Sequence, residues 1–210
     1  MIKYPCEDLQ YCTATAEYAE QVVGLLGNID PHTQRYIYGP KGQRNAYLKH
    51  AFRCDLGYFG YSRHRLALLG NRCIGMVAAF ERREHWLLDI YTLRSLLHVY
   101  PLFQALKCLY RLLVSTAASP KPHRGIYFLY NFSIDQTLAG QGVGSWLLQQ
   151  EIIRARQRGC HYIELDVATT NHRAIHFYEH NGFVVSQHIT NRHCIKGFHF
   201  DEYWRMSLGL

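Results

Sequence analysis

LAGQGVGSWLLQQ, residues 138–150, sets three glycines at alternate positions directly ahead of a segment with helical spacing. Glycine costs about 1 kcal/mol relative to alanine inside a helix, so the cluster suits a turn at the helix's leading edge. The first N–H groups of a helix have no intrahelical partner, and the helix dipole adds partial positive charge there. Gly140, Gly142 and Gly144 put no side chains in the way, so a diphosphate fits against those amides. A tight turn needing positive φ is the plainer alternative. A Walker A loop requires lysine after its last glycine, and here Ser145 follows Gly144. The spacing also departs from the dinucleotide fingerprint G-x-G-x-x-G, although Glu164 and Asp166 lie on the next strand-like run.

Working outward, IYFLYNFSI (residues 126–134) reads as a central strand, residues 145–158 as a helix ended by Gly159, and residues 161–168 as the next strand. A short helix over 171–180 and two last strands near 183–189 and 202–208 complete the second half. A strand–helix–strand crossover favours parallel pairing, while the final pair can be antiparallel, so a mixed sheet is expected. Upstream, residues 15–26 are helical, with Ala16, Ala19, Val22, Val23 and Leu26 on the buried stripe. Residues 28–55, rich in Gly, Pro, Arg and Tyr, read mostly as loop with room for one short helix. RLALLG and CIGMVAAFE form a hairpin around Gly70-Asn71-Arg72. Residues 86–118 read as one or two helices broken at Pro101.

The chain has 210 residues, 48% of them hydrophobic, enough for a packed core. Its net charge of +7 favours a polyanionic partner, whether nucleic acid, an anionic surface or a small molecule with several phosphates. Seven cysteines without C-x-x-C spacing, behind an N-terminus that lacks an apolar signal region, point to free thiols in a reducing compartment, the cytoplasm. No uncharged apolar run reaches the length of a membrane span.

Two stretches together carry a family resemblance. YNFSIDQTLAGQGVGSWLLQQ, then GCHYIELDVATTNHRAIHFYEHNGF, resembles the acetyl-CoA-binding core of the GNAT N-acetyltransferase superfamily over residues 126–186. The family pattern of Q/R-x-x-G-x-G/A before a helix falls on Ala139 to Gly144, with Gly142 and Gly144 at its glycine positions. An L-x-V strand follows at Leu165 and Val167, then N-x-x-A-x-x-x-Y at Asn171, Ala174 and Tyr178, ahead of Gly182-Phe183. The departure is Ala139, which stands where the family has Gln or Arg.

The resemblance implies one α/β domain over 1–210: a GNAT-like mixed, largely antiparallel sheet flanked by helices, with residues 86–118 as a helical insertion between the third and fourth strands. It implies an acetyl-CoA-dependent N-acetyltransferase acting by direct transfer to a primary amine, small or protein-borne. Acetyl-CoA would be held by Ala139, Gly140, Gln141, Gly142, Val143 and Gly144 at the pyrophosphate. Backbone groups of Phe132 and Ile134, with Asn171 and Ala174, would hold the pantetheine arm, and Tyr178 would protonate the departing thiolate. Plainer roles exist beside these: core packing for Phe132 and Ile134, a helix N-cap for Asn171, a packed surface phenol for Tyr178.

No base is assigned among Glu81, Glu84, Asp135, Asp166 and a water chain. His172, His176 and His180 share a helix face, but that face is expected to meet solvent, and no metal is expected; His193, Cys194 and His199 are equally unpersuasive as ligands. The insertion is read first as extra core, with a wall of the acceptor pocket or a homodimer surface as functional alternatives. Together with residues 28–61 it is where the acceptor would be chosen. A non-catalytic CoA-binding module is the rival reading. Nucleic-acid binding is disfavoured, because Arg154, Arg156 and Arg158 spread around their helix and no known motif accompanies them.

Overall fold

The hairpin predicted from RLALLG and CIGMVAAFE is the frame on which the sheet is built. In the computed structural model, which describes residues 8–190, 194–195 and 198–210, β2 (His64–Leu69) turns through Gly70 into β3 (Arg72–Glu81). Along β2, Leu66 and Leu68 join the core on one face while Ala67 joins the core on the other, the period-two signature of a strand buried on both sides. β1 (Leu9–Thr13) adds antiparallel to β2, and β4 (Ile126–Ile134) antiparallel to β3. β5 (Tyr162–Ala168) pairs parallel with β4, and β6 (Val184–Ile189) and β9 (Tyr203–Gly209) complete the order β1-β2-β3-β4-β5-β9-β6. β7 (Cys194–Ile195) and β8 (Phe198–His199) form a separate two-stranded ribbon.

Helices cover both faces. α1 (Ala19–Leu26), α2 (Pro31–Tyr38), α3 (Lys41–Arg53), α4 (His85–Val99) and α5 (Leu102–Thr116) enclose one core with Leu66, Leu68 and Met76. α6 (Val143–Gln157) and α7 (His172–His180) enclose the other with Ala67, Val77, Tyr127 and Leu129. The expected mixed, largely antiparallel sheet is present. The helical insertion lies between the third and fourth strands and breaks at Pro101, which caps α5.

Two differences from the sequence reading have physical causes. Residues 28–55 hold two helices, not mostly loop. Asp30 accepts the Thr33 N–H at 3.0 Å and Pro31 opens α2, the capping-and-proline start. α3 buries Arg44, Tyr47, Leu48, Ala51 and Phe52; the arginine within this stripe breaks the apolar periodicity by which a sequence marks a helix. The edge strand β1, to which no element was assigned, is too short and polar to signal itself; its pairing with β2 makes it a strand.

Candidate active site

Chain connectivity opens the centre of the sheet. β4 and β5 pair only at Ile126–Tyr162, Tyr127–Ile163 and Phe128–Glu164, after which β4 runs on without its neighbour. At the point of departure β4 carries a bulge: Met76 faces Ser133 and Ala78 faces Tyr130, so Asn131 and Phe132 share one opposing residue. Asn131 takes φ 52° there, a region that asparagine tolerates better than most side chains. Beyond the bulge the Asp135 N–H donates to Ile74 O at 2.8 Å on β3. Alternation along a strand then turns the backbone groups of Ile134 and Phe132 to the opposite side, where β5 has left.

The bulge is held from beneath. His64, wholly buried, has Nδ1 at 2.8 Å from Gly60 O and Nε2 at 3.4 Å from the Asn131 amide nitrogen. With Nδ1–H donating to the carbonyl, Nε2 keeps its lone pair for the Asn131 amide. Burial lowers the His64 pKa to about 4, so the ring is neutral at physiological pH.

The glycine loop borders the same opening. Gly140 and Gly142 have φ 74° and 84°, and Gly142 is the N-cap of α6 with no side chain capping the helix. A Cβ on Gly140 meets nothing within 4 Å, so the reason for glycine is the backbone angle. Gly144 has a different reason. It lies in the first turn of α6, and a Cβ there would stand 3.1 Å from the Phe177 ring. Ala139 ends a short turn that Asp135 caps by accepting the Thr137 N–H, and the Gln141 N–H donates to Leu138 O. The loop therefore presents an uncapped helix N-terminus whose chain is set by positive-φ glycines, a fit for a diphosphate.

Tyr178 is buried between Phe132, Phe177 and Phe183, at ring-centroid distances of 5.2 to 6.2 Å. Burial pushes its phenol up, which keeps the proton on oxygen as a donor requires. Asn171 caps α7, accepting the Ala174 N–H at 3.1 Å, and Ala174 packs against the core beneath. Val143 is buried in the same core.

On the opposite face of the sheet a cavity of about 510 Å³ lies under the insertion. Aromatic rings of Tyr58, Phe80, Phe128 and Tyr130 floor it, and the Leu109, Leu112 and Leu113 side of α5 roofs it. Asn131, one of the two bulge residues, lines it too. One wall carries a polar cluster: Tyr58 donates to Asp89 at 3.0 Å, and His85 Nδ1 stands 3.0 Å from the other Asp89 oxygen. At the far end Asp166 is gripped by Arg205 through Nε at 2.8 Å and Nη2 at 2.9 Å. Arg205 also donates to Pro120 O and Ser119 Oγ, tying the loop after α5 to the sheet.

Each of the four carboxylates named as bases has partners of its own. Glu81 pairs with Arg83 and Arg158. Glu84 is held below its ordinary pKa: burial alone would raise it, and the Glu81 N–H with Arg63 outweighs that. Asp135 is lowered by its bonds from Thr137 and by Arg72, and Asp166 belongs to Arg205. The His85–Asp89 pair has no mark in the sequence, because a His and an Asp at i, i+4 look like any helix-surface pair until the cavity is seen beside them. His172, His176 and His180 face solvent as expected. His193 lies outside the described residues, as does the side chain of Cys194; His199 is exposed.

Residues 109–183 match the family model described as the acetyltransferase (GNAT) family. Solved structures share the fold over nearly the whole chain. An N-acetyltransferase from Staphylococcus aureus Mu50 superposes with a TM-score of 0.71 at 13% identity, covering 95% of this chain and 100% of its own. The ribosomal-protein-S18-alanine N-acetyltransferase of Escherichia coli gives 0.53 at 14%, covering 96% and 93%. The yncA protein of Salmonella typhimurium, solved with acetyl-CoA as its cofactor, gives 0.56 at 13%, covering 97% and 94%.

Proposed function

We propose that this chain is an acetyltransferase of the GNAT superfamily, a reading supported by the family match over residues 109–183, and that it transfers an acetyl group from acetyl-CoA directly to a primary amine borne on an apolar or aromatic body. The observation that carries the reading is the opening between β4 and β5. An uncapped, glycine-led helix N-terminus borders it. An aromatic cavity on the other face of the sheet has the bulge residue Asn131 in its lining. Acetyl-CoA supplies an activated thioester carbonyl and a thiolate leaving group.

The residues divide the remaining work. N–H groups at the start of α6, shaped by Ala139, Gly140, Gln141 and Gly142, receive the pyrophosphate. Backbone groups of Phe132 and Ile134 fix the pantetheine arm and polarise the thioester carbonyl, with Asn171 and Ala174 at the arm's other side. The cavity holds the amine's apolar body against Tyr58, Phe80 and Tyr130. The His85–Asp89 pair takes the ammonium proton, directly or through water, so that nitrogen attacks with its lone pair. As the carbon–sulfur bond breaks, Tyr178 gives its proton to sulfur and recovers one from solvent.

Calorimetric titration with acetyl-CoA, free CoA and NADH tests the first half of the reading. Micromolar binding of both CoA compounds and none of NADH is expected, followed by thiol release on adding arylalkylamines. Absence of CoA binding would sink the assignment and make Ala139 the decisive departure. Binding without release by any amine would favour a CoA-binding regulatory module instead.

A further inference from the structure

The outer faces of α4 and α5 carry large apolar side chains where water-facing helices carry polar ones. On α4 the stripe is Trp86, Ile90, the half-buried Leu93, and Leu97; on α5 it is Phe103, Leu106, Tyr110 and Leu113. Steps of four, three and four residues on α4, and of three, four and three on α5, reproduce the heptad spacing of helices that pack on other helices. Each stripe lies opposite its own helix's buried residues: Leu88, Thr92 and Leu96 on α4, Ala105 and Cys108 on α5. Extra core is thus only half of what the insertion is. Phe103 is 83% exposed and Trp86 60% exposed.

With Leu102 and Tyr91 beside them, these side chains leave on the order of 1,000 Å² in water, comparable with the roughly 800 Å² per partner of a standard interface. Among the described residues of the two helices, Arg94 and Lys107 are the exposed Lys and Arg side chains at its border. That is too few for the basic face with which an interfacial helix meets anionic lipid.

We propose that the α4–α5 hairpin is a dimer interface, occupied by the same hairpin of a second copy about a two-fold axis, the four helices interdigitating along their heptad stripes. The interface does not depend on acetyl transfer. Leu113 belongs both to the stripe and to the cavity wall, so the second copy also fixes the cavity's roof. That consequence alone rests on the acceptor reading.

Sedimentation from low to high micromolar concentration tests the interface, comparing the wild-type chain with a Leu106→Glu, Tyr110→Glu variant. Both positions are exposed and neither lines the cavity. The expected result is a wild-type dimer and a variant monomer with unchanged circular dichroism and acetyl-CoA affinity. A single Leu106→Lys change replaces the pair if the double variant misfolds. A wild-type monomer throughout the range, or a folded variant that stays dimeric, overturns the proposal. So does flotation of the wild-type chain with phosphatidylcholine–phosphatidylserine vesicles that the variant fails to join, which would give the face to a membrane.

Discussion

Tyr178 and His64 show how much of the proposed chemistry hangs on single side chains. Replacing Tyr178 with phenylalanine removes one hydroxyl and leaves its packing against Phe132, Phe177 and Phe183 in place. Acetyl-CoA affinity is therefore expected to hold while kcat falls roughly 100-fold, the usual worth of a positioned proton donor. Steady-state kinetics beside calorimetry measures both, and unchanged kcat would return Tyr178 to a packing role. His64 acts through stability. Its folded pKa of about 4 lies below the ordinary value of 6.5 for an unfolded chain, so the neutral folded ring contributes stability that is complete above pH 6.5. That stability is lost as pH falls through the window from 6.5 to 4, and the full shift amounts to about 3 kcal/mol. Urea unfolding at pH 7 and pH 4.5 should show the loss in the native chain. It should be smaller in His64→Gln, which cannot be protonated; an equal loss in both would place the acid sensitivity elsewhere.

Among elements, the loop ahead of α6 and the strap after α5 make separable predictions. Gly142 holds φ 84° at the helix N-cap, and alanine there costs about 1 kcal/mol or more. The Gly142→Ala chain should bind acetyl-CoA at least 10-fold more weakly by calorimetry, because relaxation of the loop re-aims the first N–H groups of α6. Gly144→Ala strains the contact with Phe177 instead, and its melting temperature should drop along with affinity. Arg205 is 5% exposed and ties β9, Asp166 and the 119–120 strap together. Arg205→Gln leaves Asp166 with the Ser119 hydroxyl but without its charge partner and is expected to destabilise the fold by about 3 kcal/mol. Arg205→Lys keeps the charge but not the two-pronged grip. In that variant the acceptor KM should rise several-fold with acetyl-CoA affinity unchanged; a change in acetyl-CoA affinity alone would separate the strap from the acceptor cavity.

Across the whole molecule, the site is a junction of distant segments, and its parts differ in how far the sequence revealed them. The glycine loop, α6, β5, α7 and Tyr178 are contiguous in the chain, and their order and spacing pointed to the GNAT core directly. Local rules also placed the β2–β3 hairpin, the break at Pro101 and the cap role of Asn171, since turn residues, proline and side-chain caps act within four residues of themselves. Packing decided what local rules could not. α2 and α3 escape local rules because Tyr47, Phe52 and the buried Arg44 become a helix's inner stripe only when α1, α4 and β2 lie against them. β1 is a strand because β2 offers it an edge. The bulge at Asn131, the support from His64, 67 residues earlier, and the Arg205–Asp166 clamp are contacts between residues far apart in the chain. No window of sequence contains both partners of such a contact. The sequence by itself determined the mixed sheet, the glycine-led start of α6 and the caps that set α7, because these rest on turn, glycine and cap residues that act locally. Only the tertiary structure decided the cavity and its exposed roof, because a surface assembled from α2, α4, α5, β4 and β9 exists only once long-range pairing has brought those elements together.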